Sequence, residues 1–277
     1  MAGRRVVVTG IGTINPLGNS IEEYFTNLEK LDCSYNRISA LDLSNNTRLT
    51  DVNVSNNLLT SLTLPTSATS VDASTNRLPA LEVSSITGLT SLNVAGNKLV
   101  SLNVSQNKSL TSLNANDNEI AYLDVTKLIW LEELSCGDNN LTTLNITKNT
   151  ALTSLDCHGN SLSMLDLAKN TALESLYCGE NSLTAIYIGS DKLRNFDCAN
   201  NALTSISVTT QAQLENFDCS HNQLSQVDVT KCAKLTTFDC SFNSLQSLNV
   251  SCNTDLTTLN SSNNAQLVKL WVKDEAQ

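Results

Sequence analysis

The chain has few aromatic residues and few charges, 4% and 16% of its 277 residues. It has only two histidines, His158 and His221, and no C-x-x-C pair, so no zinc or dithiol site is expected. No apolar run approaches the ~20 residues that a membrane-spanning helix needs, so no membrane insertion is expected. Basic residues are outnumbered, 17 Lys and Arg against 27 Asp and Glu, giving a net charge of −10. An acidic surface repels phosphate backbones, which excludes nucleic acid as an expected partner. Arg4-Arg5-Val6-Val7-Val8 starts like a signal peptide. Asn15-Pro16 and Gly18 close that stretch before it is long enough, and no small-residue cleavage site follows, so no export signal is expected.

What is abundant is repetition. Twelve asparagines fall in one register: Asn36, Asn57, Asn76, Asn97, Asn118, Asn139, Asn160, Asn181, Asn201, Asn222, Asn243 and Asn264. The step is 21 residues nine times, with single steps of 19 and 20. A fixed period of this length marks a solenoid, whose short unit buries its apolar face only by stacking on neighbours. Around each asparagine lies one frame, seen in Leu152-x-x-Leu155-x-Cys157-x-x-Asn160-x-Leu162. With the first Leu as position 1, aliphatic or Phe residues fill positions 4, 11, 14 and 16, and small ones fill position 6. Alternation at positions 4 and 6 predicts a strand with those residues inward. Alternation at 14 and 16, as in Leu102/Val104 and Ile206/Val208, predicts a second short strand in each coil. The remaining residues leave little room for a helix. The asparagine at position 9 is expected to be structural, its amide and carbonyl satisfying backbone groups of its own and the adjacent coil where the chain turns inward.

Seven of the nine cysteines occupy position 6: Cys33, then Cys136, Cys157, Cys178, Cys198, Cys219 and Cys240. Val54, Ala73, Val94, Ala115 and Ser261 fill that slot elsewhere, so it selects small side chains, and a free thiol packs there as a small hydrophobe. Cys232 and Cys252 lie in adjacent return loops, where a bridge between them is an open alternative. Stacked Asp197, Asp218 and Asp239 leave calcium as an alternative, but no metal is assigned, and no cofactor is expected.

The frame L-x-x-L-x-L/C-x-x-N-x-L resembles the leucine-rich repeat of Bacteroidetes-type and internalin-like proteins over residues 28–272. That resemblance implies a mainly β, right-handed solenoid of about twelve 21-residue coils. It also implies protein or glycan recognition at a cell surface or in secreted form, with adhesion as a usual setting.

Residues 1–27 do not fit the repeat. Arg4-Arg5-Val6-Val7-Val8-Thr9-Gly10-Ile11-Gly12 through Pro16-Leu17-Gly18-Asn19 resembles the start of bacterial beta-ketoacyl-acyl-carrier-protein synthases. The family's catalysis needs a nucleophilic cysteine and two histidines far along its fold. His158 and His221 lie inside repeats, so no residue takes a catalytic role, and condensing activity stays an alternative by resemblance only. Ser20-x-x-Glu23 forms a capping box followed by Ile21, Tyr24, Phe25 and Leu28 at helical spacing. The segment is therefore expected to be a strand/helix cap over the first coil. Residues 273–277 form a C-terminal tail.

Positions 3, 5 and 7 point outward onto the expected concave face. Position 5 is mostly Asp or Asn and position 7 mostly Ser, Ala or Gly, an acidic polar strip. The monotony breaks where Asp156, His158, Tyr177, Glu180, Arg194, Asp197, Asp218, His221 and Phe242 cluster, and these are the candidate binding residues. Tyr and Arg are frequent interface anchors. Leu128-Ile129-Trp130, an apolar bump in a return loop, is a second candidate contact, and a structural spacer is the remaining alternative.

Overall fold

The computed structural model describes residues 27–272. The expected N-terminal cap, its synthase-like string and the C-terminal tail lie outside the described residues. Within them every regular element is a strand; no helix forms, and so none is long and apolar enough to cross a membrane. Contacts divide the chain into two compact units, Met1–Trp130 and Leu131–Gln277.

In the first unit, Lys30–Asp32, Asp51–Asn53, Ser70–Asp72, Ser91–Asn93 and Ser112–Asn114 pair in parallel in that order. In the second, seven strands do the same: Glu133–Ser135, Ser154–Asp156, Ser175–Tyr177, Asn195–Asp197, Asn216–Asp218, Thr237–Asp239 and Thr258–Asn260. The register matches equivalent positions, Leu155 beside Leu176 and Leu176 beside Phe196. A parallel solenoid stacks each core residue on its counterpart. Phe196, Phe217 and Phe238 thus form one buried stack, ring centroids 5.2 and 5.4 Å apart. Cys136, Cys157, Cys178, Cys198, Cys219 and Cys240 are buried in the neighbouring column as free thiols.

The asparagine column does what its chemistry permits. Asn57 donates from Nδ2 to the carbonyls of Cys33 in the coil before (2.9 Å) and of Val54 and Ser55 in its own (3.0 and 3.2 Å). Its Oδ1 accepts the Ile38 N–H at 3.0 Å. Asn243 repeats the set with Cys219, Cys240, Ser241 and the Leu224 N–H. One side chain therefore closes four backbone groups across two coils.

The turn that needs them is made one residue earlier. All twelve position-8 residues, from Tyr35 to Asn263, have φ between 49° and 66°, and only Gly96 and Gly159 are glycines. This left-handed residue bends the chain inward while its N–H still bonds the next coil, as Glu180 does to the Ala199 carbonyl at 2.9 Å. Upstream, the Asp or Asn at position 5 ends the strand by accepting the position-7 N–H, Asp32 from Ser34 at 3.0 Å and Asp218 from Ser220 at 2.9 Å.

The expected second strand of every coil is a correction. Among the described residues it forms in three pairs only: Ala40–Asp42 with Ser61–Thr63, Met164–Leu167 with Ala185–Ile188, and Ser247–Asn249 with Lys269–Trp271. Elsewhere the apolar residues of this stretch still turn inward, with Leu102 and Val104 buried, but no ladder joins the backbones. Alternation places side chains and does not by itself impose pairing.

A second amide column, unrecognised in the sequence, takes over in the return loops. Asn170 Nδ2 donates to the Ile146 and Asn149 carbonyls (3.1 and 2.8 Å), and Asn253 Nδ2 to those of Val229 and Cys232 (2.9 and 2.7 Å). Where a coil is shortened, a serine serves instead: Ser67 Oγ donates to the Leu49 carbonyl and Ser190 Oγ to that of Leu173. In the loop Leu128-Ile129-Trp130, Leu128 is buried while Ile129 and Trp130 are exposed.

Candidate functional site

Position 5 is where the sheet face of the second unit acquires its chemistry. Asp156, Asp197, Asp218 and Asp239 each spend Oδ1 on a position-7 N–H, which fixes the carboxylates in a row along the strand ends. Tyr177 replaces the repeat's usual Asp or Asn and projects an exposed ring from the same row.

Glycines open the space around it. A Cβ on Gly137 would run into the His158 ring, and one on Gly159 into the Asp138 carboxylate. On Gly179 it would come within 3.1 Å of Asp197 Oδ1 and 3.2 Å of the Ala199 carbonyl oxygen. With serine at positions 137 and 179, as at the equivalent position of Ser34, Ser55, Ser74, Ser220 and Ser241, the face would fill. Instead a cleft of about 410 Å³ is lined by Asp156, His158, Tyr177, Gly179, Glu180, Asp197, Ala199 and Asn200. A second cleft of about 370 Å³ shares its Tyr177–Asp197 wall and runs on past Asn195, Asn216, Asp218 and Asp239.

His158 bridges two carboxylates, Nδ1 to Asp156 Oδ1 at 2.6 Å and Nε2 to Asp138 Oδ2 at 3.1 Å. Partial burial works against its cation, but the hydrogen bonds and charges of Asp156 and Asp138 outweigh that and raise its pKa above 6.5. Asp197 is pushed above the usual carboxylate range by burial first; the Ala199 N–H and His158 oppose this, while Asp218 and Glu180 add to it.

The nine sequence candidates therefore separate. Asp156, His158, Tyr177, Glu180 and Asp197 come together in the first cleft, and Asp218 lines the second. His221 and Phe242 lie outside both, stacked on each other with ring centroids 4.1 Å apart at successive left-handed turns. Arg194 also lines neither cleft. It pairs with Glu215 at 2.7 Å and approaches Glu174 at 3.9 Å, so its charge is already answered. The glycines, Asp138, Asn195 and Asn200 were not singled out from sequence, although glycine in a serine slot was the available signal. Among the described residues no group of three or more His, Cys, Asp or Glu side chains converges to hold a metal ion. Cys232 and Cys252 are both free, one buried and one exposed.

No family model matches the chain, and no curated protein sequence does. Solved structures do. The functional domain of InlJ from Listeria monocytogenes, which includes a cysteine ladder, is similar over 91% of this chain at 33% identity and a TM-score of 0.76. The match spans 59% of the length of that protein. YopM, a leucine-rich effector protein from Yersinia pestis, is similar at 26% identity and a TM-score of 0.75, over 88% of this chain and 71% of its own. The fold is a leucine-rich-repeat solenoid. A leucine-rich-repeat protein of Leptospira interrogans shares the same fold at 23% identity and a TM-score of 0.77, over 89% of this chain and 72% of its own. Within the leucine-rich-repeat frame, the position-6 thiols of six consecutive coils, Cys136 to Cys240 without Cys232, are a cysteine ladder of this chain's own.

Proposed function

We propose that this leucine-rich-repeat chain is a non-catalytic recognition module. It binds a protein or glycan on the exposed sheet face of its second unit, through Asp156, His158, Tyr177, Glu180, Asp197 and Asp218, with His221 and Phe242 on the adjoining turns and Arg194 flanking. The observation that carries this reading is the glycine-opened cleft around Tyr177, which interrupts an otherwise repetitive polar face. Repeat solenoids put their extended surfaces to use in binding, and an exposed tyrosine among hydrogen-bonding groups is a typical anchor. Likeness to other leucine-rich-repeat solenoids supports a recognition role, and a setting in adhesion or at a cell surface is carried only by the resemblance of the repeat frame.

The test presents the purified chain to a glycan array and to immobilised surface and secreted protein extracts, beside a Tyr177→Ala, His221→Ala variant. A partner held by the parent and lost by the variant is the expected result. Equal binding by both would remove the site from this face, with exposed Trp130 the next candidate, and no binding by either would leave the solenoid a spacer.

A further inference from the structure

The first cleft carries an imbalance of charge that identifies an occupant. Four ionisable side chains besides Tyr177 line it: Asp156, His158, Glu180 and Asp197. His158 is engaged with Asp156 and Asp138, and its single charge, when protonated, offsets at most one of the two. Glu180 and Asp197 have no ion-pair partner among the described residues, and no Lys or Arg lines the cleft. Arg194, the nearest basic residue in sequence, is held between Glu174 and Glu215. Asp197 uses Oδ1 for the Ala199 N–H at 2.9 Å, which fixes its carboxylate in the wall beside Tyr177. Glu180 lies in the left-handed turn with φ 53°.

The geometry points to a basic side chain of a protein partner, an arginine, as the occupant of this cleft, its guanidinium paired with Asp197 and Glu180 and laid against the Tyr177 ring. This rests on the recognition reading above and names its ligand chemistry. Arginine fits better than lysine because its planar guanidinium pairs with carboxylates along an edge and stacks on an aromatic ring with its face, whereas an ammonium is a compact point charge. Gly179 leaves room for that plane, since a Cβ there would close against Asp197. The partner's charge is also the sign that a chain of net charge −10 attracts.

The repeat itself supplies variants that preserve the fold. Asp197→Asn retains the acceptor for Ala199 and matches Asn53, Asn93, Asn114 and Asn260 at the same position; Tyr177→Asn restores one of the two residues usual there. Glu180→Gln alters only charge. A control pair, Asp166→Asn and Asp228→Asn, removes two charges from the other side of the coils, where both residues end the second stretch in the same way.

The experiment follows backbone amide NMR signals of the full chain during titration with N-acetyl-arginine methylamide. Parallel arms use the citrulline equivalent, which is isosteric and uncharged, and N-acetylglucosamine. Expected are saturable shifts at Gly179, Glu180, Ala199 and Asn200 with arginine, a millimolar affinity, and none with citrulline. Asp197→Asn with Glu180→Gln should weaken binding about tenfold or more, and the control pair should not. Equal shifts with citrulline, shifts scattered over the acidic surface, or an unchanged response in the double variant would overturn the basic occupant. Shifts with the sugar alone would also overturn it while sustaining recognition at this face. Silence in all arms, with a partner captured by the parent and lost by the Tyr177 variant, would do the same.

Discussion

Asn243 measures what one ladder residue contributes. Its amide donates to three carbonyls, and its oxygen accepts the Leu224 N–H. Asn243→Ala leaves the buried Leu224 N–H without its acceptor, while the three carbonyls lose one donor each and keep Asn222, Asn264 and the His221 N–H; urea unfolding should show a loss of about 1–3 kcal/mol. Asn243→Asp should cost more at neutral pH, because a carboxylate would face the carbonyls of Cys219, Cys240 and Ser241. A smaller loss for Asp than for Ala would contradict the donor role. The residue before each ladder asparagine makes the opposite case. Thr75 holds φ 53° with a β-branched side chain, whereas Asn56, Asn200 and Asn263 occupy the same turn with a residue that tolerates it. Thr75→Asn should therefore raise stability by up to about 1 kcal/mol, and a decrease would show that the threonine side chain is needed there.

Columns of equivalent residues behave as elements in their own right. Burial pushes the Cys157, Cys178, Cys198 and Cys219 thiols well above their usual pKa, raises Cys240 to about 12 and Cys232 to about 11. Thiolates are the reactive species, so Ellman's reagent on the native chain should modify exposed Cys252 alone at speed, the other eight reacting only on unfolding. Rapid native modification of further thiols would mean that the column opens. The His158 clamp joins two successive coils and makes a pH-dependent contribution. Because its folded pKa is raised above 6.5, the stabilisation is complete below that value and is lost as pH climbs through the raised one. Imidazole NMR should place the midpoint above 6.5 and Asp138→Asn should lower it; no movement would exclude Asp138 as a partner. The repeat frame, the ladder and the cysteine slot were legible because each is a residue type recurring at one phase. Asn170 and Asn253 were not, since Ile86, Leu128 and Cys232 interrupt their column and disguise its period. The cleft was half legible: Tyr177 and His158 stood out as departures, but Gly137 and Gly179 shape it through side chains they do not have. Arg194 looked free because sequence does not show that Glu174 and Glu215 flank it one coil away on either side.

A solenoid grows by addition, each coil contacting its neighbours, so its stability is close to a sum over coils and its function follows the coils that carry a site. Here the two units differ in what they carry. The first presents polar residues with little variation, whereas every residue lining the Tyr177 cleft belongs to the second. Excision then separates folding from function. Removing residues 89–109, one coil of 21, joins Gly88 to Leu110 with every position in phase, and places Asn118 one period after Asn76. That chain should fold cooperatively with a slightly smaller urea m-value, reflecting the area lost, and should bind arginine as the parent does. Removing residues 152–172 is equally in phase but takes away Asp156 and His158, one wall of the cleft, while leaving Tyr177, Glu180 and Asp197, so folding should survive while arginine binding weakens. Removing residues 89–98 breaks phase and sets polar residues into apolar columns, so that chain should fail to fold cooperatively. Circular dichroism, urea titration and the amide shifts of Gly179 and Glu180 read the three outcomes. Loss of arginine binding in the 89–109 deletion, with cooperative unfolding intact, would show that the cleft depends on coils that contribute none of its lining, and the modular account of this chain would fail.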